Sequence, residues 1–238
     1  VFDVRDAWED YVMHSSKYRI VRISHKLMKL IFNALYKDAD LIVTVTPSLI
    51  SYLRKRGAKI VKFIPNGADI ELFKPISEKE KVKRRRELGI NTKDIVFVYA
   101  GHIGGYYRVD ILIKAFKILV HNKGIKNVRL IIMGGGKKCT ITHINELARK
   151  LGLSSYIKFL GRVQRKRVAW ILPACDVGII PYDDNPLWKW AYSSKVFEYC
   201  ASGLPIIATV FEESDLAKLI KRHQVGLTAM PMNPKNVA

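Results

Sequence analysis

The sequence predicts an α/β protein built on a doubly wound parallel sheet. Short apolar runs alternate with segments whose apolar residues recur every three to four positions, which is the pattern of strands separated by amphipathic helices. The runs are almost continuously hydrophobic, as expected for parallel strands that are covered on both faces. We therefore expect helices on both sides of the sheet.

The alternation of strands and helices is clearest in the second part of the chain. The apolar runs predicted to be strands are 95–100, 128–133, 156–160, 176–181 and 204–209. The segments predicted to be helices are 109–121, 140–151, 164–173, 193–202 and 212–222. Because the chain stops shortly after one more apolar segment, we expect this domain to lack its last helix.

A smaller unit of the same kind comes first. Its predicted strands and helices are, in chain order, 1–5, 15–37, 40–46, 47–56 and 60–64. A turn-rich segment, Pro65–Asp69, and a charged segment that begins a helix, 77–87, follow it. We place the domain boundary after residue 68, so that 1–68 is the incomplete end of a first domain and 69–238 is a second one. The basic run 81–86 is expected to form a solvated helix face.

Composition narrows the choice of partners. Hydrophobic residues make up 49% of the 238 residues, which suffices for a core. Lys and Arg number 41 against 21 Asp and Glu, a net charge of +20 that favours nucleic acid, a phosphate-bearing substrate or an anionic membrane as partner. The sequence has no RNP-like aromatic motif, zinc-finger spacing or clear helix-turn-helix, so nucleic acid is the least favoured of these.

The cysteines and the hydropathy pattern favour a cytoplasmic location. The cysteines number three and have no CxxC spacing, and the apolar surroundings of Cys175 and Cys200 predict packed thiols in a reducing compartment. No apolar run approaches the ~18 to 20 residues of a membrane span, and the first residues lack the pattern of a signal peptide.

A glycine-containing loop is the first candidate for a phosphate site. Gly101, His102 and Gly104 lie between a predicted strand and a predicted helix, where glycines let backbone amides approach a phosphate at the helix N-terminus. Arg108 begins that helix, and a guanidinium there can clamp a diphosphate and neutralise the charge of a leaving group. The local sequence equally allows a solvent-exposed arginine.

The second candidate is the start of the helix predicted at 193–202. Ser193, Ser194 and Lys195 bring two hydroxyls, an ammonium and free helix-start amides together. Either a serine caps the helix and Glu198 is solvated, or the amides and Lys195 hold phosphate oxygens while Glu198 accepts hydrogen bonds from ribose. Both loops follow the carboxyl ends of parallel strands, where doubly wound sheets bind nucleotides, which favours the second interpretation.

Several passages together resemble family 4 of the GT-B glycosyltransferases. They occur in the family's order and cover nearly the whole chain. They are Val4–Trp8, Ala39–Thr46, Ile64–Asp69, Phe73–Pro75, Tyr99–Gly104, Ser194–Tyr199 and Gly203–Ala208. The subgroup that the chain most resembles, the group 1 glycosyltransferases, builds surface polysaccharides.

This resemblance implies a GT-B fold, in which part of an acceptor domain precedes a Rossmann-like donor domain. It also implies retaining, metal-independent transfer of a sugar from a UDP- or GDP-linked donor to a lipid-linked or saccharide acceptor, with no further cofactor. The catalytic residues would be Arg108, Lys195 and Glu198, of which Glu198 binds ribose. The donor-binding residues would be Gly101, His102, Gly104, Arg162, Ser193, Ser194, Lys195 and Glu198.

Two positions depart from the family pattern. Trp190 stands where the family's E-x7-E motif has its first glutamate, and His102 stands where the glycine loop usually has an arginine. Asp183, Asp184 or Asn185 are candidates for contacts to the donor sugar, although an ordinary polar loop is the simpler explanation. The two aspartates lack the further ligands of a metal site. A sugar-nucleotide epimerase and a non-catalytic subunit remain as alternatives.

The segment 17–35 predicts a basic amphipathic helix. Its apolar stripe consists of Ile20, Ile23, Leu27, Leu30, Ile31 and Ala34, and its basic stripe of Arg19, Arg22, Lys26 and Lys29. Docking of the apolar stripe on the first sheet is the favoured interpretation, and contact of the basic edge with anionic lipid is compatible with it. We therefore expect a peripheral position on the inner face of the cell membrane, where a lipid-linked acceptor would lie.

Overall fold

The computed structural model describes residues 1–7, 10 and 19–238, and the side chains of 19–23 lie outside this description. Contacts between Cα atoms group these residues into two compact units. Unit one consists of Val1–Asn66, Asn185–Tyr192 and Glu213–Lys218, and unit two of Gly67–Asp184, Ser193–Glu212 and Leu219–Ala238. The domain assignment with a boundary after residue 68 stays a prediction.

Unit one is built on a short parallel sheet. Its strands are β1 (Phe2–Val4), β2 (Ile42–Thr44) and β3 (Val61–Phe63), in the order β1-β2-β3. Its helices are α1 (Arg19–Asp38) and α2 (Pro47–Lys55), and Pro47 suits the first helical position because its missing N–H would have no partner there. The buried residues of its core are Val4, Ala7, Tyr36, Ile42, Leu49, Leu53, Ala58 and Val61.

The orientation of α1 corrects the favoured interpretation of its sequence. Leu27, Leu30 and Ile31 were expected to dock on the sheet, but all three are exposed, Leu30 to 66%. Ala34 is exposed as well, whereas Tyr36 is buried in the core. The helix turns its aromatic side inward, because the rings of Tyr36 and Phe32 supply the contacts with the core. This orientation leaves the aliphatic side uncovered. The side chains of Ile20, Ile23, Arg19 and Arg22, and all of Trp8, lie outside the described residues.

Unit two contains a parallel sheet of six strands in the order β6-β5-β4-β7-β8-β9. The strands are β4 (Ile95–Ala100), β5 (Val128–Met133), β6 (Ile157–Gly161), β7 (Val177–Pro181), β8 (Ile206–Thr209) and β9 (Gly226–Ala229). The predicted α/β class with a doubly wound parallel sheet is confirmed. Strand β9 was not predicted, because it is short and only partly buried and so has a weak apolar signal.

The helices that follow α2 lie close to their predicted positions, except for the short α9, which was not predicted. They are α3 (Glu78–Glu87), α4 (Val109–Lys117), α5 (Lys138–Lys150), α6 (Arg165–Ile171), α7 (Ser194–Ala201), α8 (Asp215–His223) and α9 (Pro234–Val237). A π-helical turn, Ile118–Asn122, continues α4, and 3-10 turns occupy Leu172–Ala174 and Pro186–Trp190. Helix α4 buries Val109, Ile111, Leu112, Ile113, Ala115 and Phe116. This broad apolar face docks the helix that begins beside the candidate phosphate loop.

Helix α3 corrects a second expectation, that its basic run is solvated. Arg85 is only 5% exposed. Its guanidinium donates to the backbone carbonyls of Ala174, Thr92 and Asp94 at 2.8 to 3.1 Å and pairs with Asp176 Oδ2 at 2.5 Å. A helix with a single apolar residue, Val82, thus docks through a buried ion pair and three carbonyls instead of a hydrophobic stripe.

Asp176 receives three hydrogen bonds at the start of β7. Lys81 Nζ donates to Oδ1 at 2.8 Å, and the Val96 amide and Arg85 donate to Oδ2. Burial by itself raises the pKa of Asp176, but these hydrogen bonds together lower it below its ordinary value. The stabilisation is therefore present above the pKa of the unfolded state and is lost as the pH falls through the folded-state pKa.

Two smaller findings bear on the expected location. Cys175 is buried as predicted, but Cys200 is exposed, because α7 turns Val196 and Tyr199 inward and position 200 outward. None of the helices in the described part of the chain combines the length and hydrophobicity needed to traverse a bilayer.

We predict that Arg85→Met lowers the free energy of unfolding by about 3 kcal/mol, because it removes the donor to three carbonyls and one of the three donors to Asp176. Urea denaturation of the chain measures this loss. Arg86→Met on the exposed side of the same helix is the matched control and should change stability by no more than about 0.5 kcal/mol. Equal effects of the two substitutions would contradict the role given to Arg85.

Candidate functional site

The strand order of unit two creates a crevice between β4 and β7. From β4 the chain continues outward to β5 and β6, and from β7 it continues in the opposite direction to β8 and β9. At such a switch point the loops at the carboxyl ends of the two central strands diverge, and open α/β sheets bind ligands there. The Arg108 amide donates to the Pro181 carbonyl at 2.7 Å, which holds the loops after β4 and β7 together.

Two glycine loops line the β4–β5 side of this crevice. The Gly101 amide donates to Met133 O and the Ile103 amide to Gly135 O, both at 2.8 Å. A Cβ on Gly134 would lie 1.7 Å from Gly101 O, and one on Gly136 would lie 2.1 Å from Ile103 O. Such a close approach of two backbones excludes any side chain at Gly134 and Gly136. The second loop was missed from the sequence, although three consecutive glycines after a strand are a usable signal.

The start of α7 forms the β7 side of the crevice. Ser193 is buried and caps the helix, since its hydroxyl accepts a hydrogen bond from the Lys195 amide. Ser194 is the first helical residue and is exposed. The helix therefore presents its N-terminal amides and their positive potential beside the glycine loops.

Lys195 is buried without a counter-ion. It is 8% exposed, and no carboxylate among the described residues lies within ion-pair distance of its ammonium. Its Nζ lies 3.8 Å from the centroid of the Tyr107 ring and 5.8 Å from that of Tyr99. A Cβ on Gly101 would meet Lys195 Cε at 2.2 Å, so the end of the lysine side chain packs directly against the first glycine loop. A buried ammonium without an anion is costly, and an anionic ligand would remove that cost.

A cluster of tyrosines surrounds this lysine. Tyr107 stacks on Tyr182 with ring centroids 5.3 Å apart and an interplanar angle of 19°. The Tyr99 hydroxyl donates to the His102 carbonyl. Burial and the neighbouring phenols raise the pKa of Tyr99 and of Tyr182 well above the ordinary value, so these rings stay neutral. Sequence analysis missed the cluster, because its members are far apart in the chain.

Glu198 lies one turn into α7 and is partly buried. Arg165 at the start of α6 approaches its Oε1 to 3.1 Å and also lies over the Phe73 ring, 5.3 Å from the centroid. Burial raises the pKa of Glu198, and the charges of Arg165 and Lys195 oppose that rise. The carboxylate is therefore an acceptor held by a largely exposed arginine, which a ligand can displace.

Arg108 is neither solvated nor free. It forms a bidentate pair with Asp110 at 2.8 and 2.7 Å, and it contacts Met232 Sδ at 2.9 Å. The hydrogen bonds that the guanidinium donates to Asp110, together with the charges of Asp110, Asp183 and Asp184, raise its pKa. Its position at the N-terminus of α4 is the predicted one, but much of its charge is already balanced.

The other residues predicted from the sequence lie in loops at the carboxyl ends of the strands or, for Asn185, in unit one. His102 is exposed in the first glycine loop, and the exposed Arg162 after β6 lies over Gly135, its Nε 3.4 Å from an added Cβ. The Asp183 amide donates to the Tyr106 carbonyl, which ties the loop after β7 to the loop after β4. Asn185 is assigned to unit one, where its side chain caps the 3-10 turn that follows.

Trp190, at the place of the missing motif glutamate, belongs to unit one. Its ring lies 5.0 Å from that of Tyr52, and its carbonyl accepts a hydrogen bond from the Thr46 hydroxyl at 2.7 Å. The tryptophan therefore packs against the unit-one core. Among the described residues no group of three or more His, Cys, Asp or Glu side chains could hold a metal ion.

One protein-family model matches the part of the chain that forms this crevice. The model of the family described as "Glycosyl transferases group 1" matches residues 94–238, more than half of the chain. The chain belongs to the group 1 glycosyltransferases. The resemblance inferred from the sequence passages is thereby confirmed.

Among curated group 1 relatives, the D-inositol 3-phosphate glycosyltransferase of Corynebacterium diphtheriae is 25% identical over 221 residues. That match covers 86% of this chain and 50% of the relative, so the chain spans about half the length of the curated relatives it matches. Anabaena HepE, solved in complex with UDP and glucose, has a TM-score of 0.77 and 19% identity over 100% of this chain and 59% of its own. WaaG, a glycosyltransferase involved in lipopolysaccharide biosynthesis, has a TM-score of 0.74 and 17% identity over 98% and 62%. The predicted GT-B fold class is confirmed by these likenesses.

We predict losses of different size for alanine at two glycines of this group 1 site. Gly134→Ala should lower the free energy of unfolding by about 3 kcal/mol or more, because its Cβ would meet a backbone carbonyl and its φ is +147°. Gly101→Ala is also strained, at a φ of +157°, but its Cβ would meet only side-chain ends, those of Lys195 and Tyr99, so it should cost about 1 to 2 kcal/mol while it displaces the ammonium. Urea denaturation distinguishes the two, and a larger loss for Gly101→Ala would refute this geometry.

Proposed function

We propose that the chain contains the donor-binding part of a glycosyltransferase, which moves a sugar from a UDP- or GDP-linked donor to a lipid-linked or saccharide acceptor. The observation that carries the proposal is Lys195 at the start of α7, a buried ammonium beside the Gly101 loop that has no carboxylate partner among the described residues. A donor diphosphate supplies the anion that this site lacks. The proposed domains are an acceptor-side part, 1–68, and a donor-binding part, 69–238.

The site suits the charge that develops during sugar transfer. The bond between the anomeric carbon and the diphosphate oxygen breaks, a bond forms between that carbon and an acceptor hydroxyl oxygen, and the hydroxyl proton is released. The nucleoside diphosphate departs with additional negative charge. Lys195, Arg108 and the amides at the α7 start stabilise that charge in the role that a divalent cation has in other transferases. The family resemblance supports retention of configuration and transfer without a metal.

Each predicted residue has a place in this proposal. Glu198 accepts hydrogen bonds from the ribose hydroxyls after Arg165 moves aside. The amides of His102 and Gly104 and the hydroxyl of Ser194 face the phosphates, and Ser193 acts by capping α7. Gly101, whose amide is bonded to Met133 O, acts by leaving room for Lys195. Arg162, over the second glycine loop, reaches the donor from the β6 side. Arg108 contributes once the diphosphate competes with Asp110 for its guanidinium.

The relatives support the donor class. Anabaena HepE was solved in complexes with UDP and glucose and with UDP-glucose, and it shares the fold of the whole chain. The curated relatives are named as glycosyltransferases. We extend this activity to the present protein as a hexosyltransferase of polysaccharide biosynthesis.

We further propose that unit one meets an anionic membrane surface through α1. The exposed side of this helix carries Leu27, Leu30, Ile31 and Leu35, and the exposed Lys26 and Lys37 border it. Apolar side chains that enter the headgroup region beside lysines that pair with anionic lipid are the pattern of an interfacial helix. A peripheral position at the cytoplasmic face of the membrane brings the enzyme to a lipid-linked acceptor.

We predict that the chain binds UDP or GDP, and that Lys195→Ala weakens the binding by at least about tenfold, because an ion-paired hydrogen bond to phosphate is lost. Glu198→Gln should weaken nucleoside and nucleotide alike, because it acts on ribose. Isothermal calorimetry with UDP, GDP and their nucleosides measures both effects. Absence of binding to any nucleotide would exclude the donor site. Salt-sensitive binding to nucleic acid would then favour the nucleic-acid interpretation.

We predict that the chain sediments with phosphatidylglycerol vesicles and that Leu30→Glu reduces the bound fraction by about tenfold or more, because a carboxylate replaces an inserted leucine. Leu227→Glu, at a leucine of unit two that is 72% exposed, is the matched control and should bind like the unaltered chain. Equal loss in both variants, or equal binding to neutral phosphatidylcholine vesicles, would argue against this surface.

A further inference from the structure

We infer that Tyr107 is a positioning residue of the donor site, whose ring face holds the Lys195 ammonium toward the diphosphate without neutralising it. The inference rests on the proposed function, because it concerns how the same diphosphate is bound. It adds a residue that the sequence motifs did not indicate and that acts through its ring face rather than its hydroxyl.

The contact itself is short. Lys195 Nζ lies 3.8 Å from the Tyr107 ring centroid, well inside the ~6 Å within which a cation is attracted by the negative face of an aromatic ring. Tyr99 contributes from a greater distance, 5.8 Å. Lys195 is only 8% exposed, so burial removes most of the water around its ammonium. The faces of these two rings replace part of that lost hydration.

The Tyr107 ring cannot turn away from the lysine. It is buried, it stacks on Tyr182 at an interplanar angle of 19°, and its backbone bridges to Gly104 and to Tyr182. Tyr182 is held in turn, because its carbonyl accepts a hydrogen bond from the Thr209 hydroxyl at 2.9 Å. The position of the cation is thus set by the ends of β7 and β8 as well as by α7.

An aromatic partner has a different consequence from a carboxylate. Arg108, the other predicted catalytic cation, donates from Nε and Nη2 to both carboxylate oxygens of Asp110, and a diphosphate must compete with that carboxylate. The tyrosine face stabilises the Lys195 charge but leaves no anion for the diphosphate to displace. The full charge of Lys195 is therefore available to the ligand, and the ring decides where that charge lies.

The space into which Lys195 points is kept open by Gly101. A side chain on Gly101 would overlap the end of the lysine, with Cβ 2.2 Å from Cε and 2.7 Å from Nζ. The ammonium therefore lies between a ring on one side and the backbone of the phosphate loop on the other. In this arrangement the Tyr107 ring acts on the phosphates only through Lys195.

The ligand-free chain provides the first test. The methylene protons next to the Lys195 ammonium should resonate upfield of other lysines, because they lie over the Tyr107 ring. The shift should persist in Tyr107→Phe, which keeps the ring, and disappear in Tyr107→Leu. Lys195→Ala assigns the signal. An ordinary lysine shift in the unaltered chain would overturn the inference.

The second test separates phosphate from nucleoside. We expect Tyr107→Leu to lower the ratio of UDP to uridine affinity by about tenfold, and Tyr107→Phe to change it by less than about twofold. Guanosine and GDP are the equivalent pair if the chain selects GDP. In the Lys195→Ala background, Tyr107→Leu should have no further effect on the ratio. Tyr156→Leu, which removes another cation–aromatic contact, with Arg129, is the matched control.

The outcomes distinguish this inference from the proposed function. If nucleotide binds and Glu198→Gln weakens it, but Tyr107→Leu leaves the UDP to uridine ratio unchanged, the positioning role is refuted and the donor site stands. If Tyr107→Phe is as weak as Tyr107→Leu, the hydroxyl and not the ring face is responsible, which also refutes it. Failure of the unaltered chain to bind any nucleotide overturns both.

Discussion

The close approach of two backbone loops is the constraint on which the crevice depends. Gly101 O occupies the position that a side chain on Gly134 would need, and Ile103 O does the same for Gly136. Only glycine permits such an approach, and it lets the ends of β4 and β5 join through the Gly101 and Ile103 amides. The same lack of a side chain at Gly101 leaves room for Lys195. The geometry of the two glycine loops, the pairing of their strands and the position of Lys195 therefore all depend on the same condition, the absence of side chains at these glycines.

The parallel sheet could be predicted from the sequence because its signals are local. The runs that became β4 to β8 are mostly apolar, as parallel strands covered on both faces usually are, although β5 contains Arg129 and the edge strand β6 contains Lys158. The helices between them follow the three-to-four periodicity. The two ends of the crevice also followed from local rules, since Gly101 and Ser193 mark a strand-to-helix turn and a helix cap. The resemblance to the group 1 glycosyltransferases was also carried by short local passages of the sequence.

What the sequence could not indicate depends on partners that are distant in the chain. Arg85 looks like part of a solvated basic run, and only its contact with Asp176, 91 residues away, explains its burial. The Tyr107–Tyr182 stack and the contact of Lys195 with Tyr107 likewise join residues that are far apart in the chain. In α1 the apolar periodicity was correctly recognised, but periodicity does not say which side faces the core, and in the structure the rings of Tyr36 and Phe32 face it. Trp190 looked like a lost ligand, whereas its packing on Tyr52 accounts for it.

The Arg85–Asp176 pair also affects the order in which the chain can fold as it is synthesised. Helix α3 has almost no apolar surface, so little free energy favours its docking before Asp176 is present. At a translation rate of ~10 residues per second, that anchor leaves the ribosome about nine seconds after Arg85. Unit two should therefore become compact only after β7 has emerged, although more than half of its residues precede that strand.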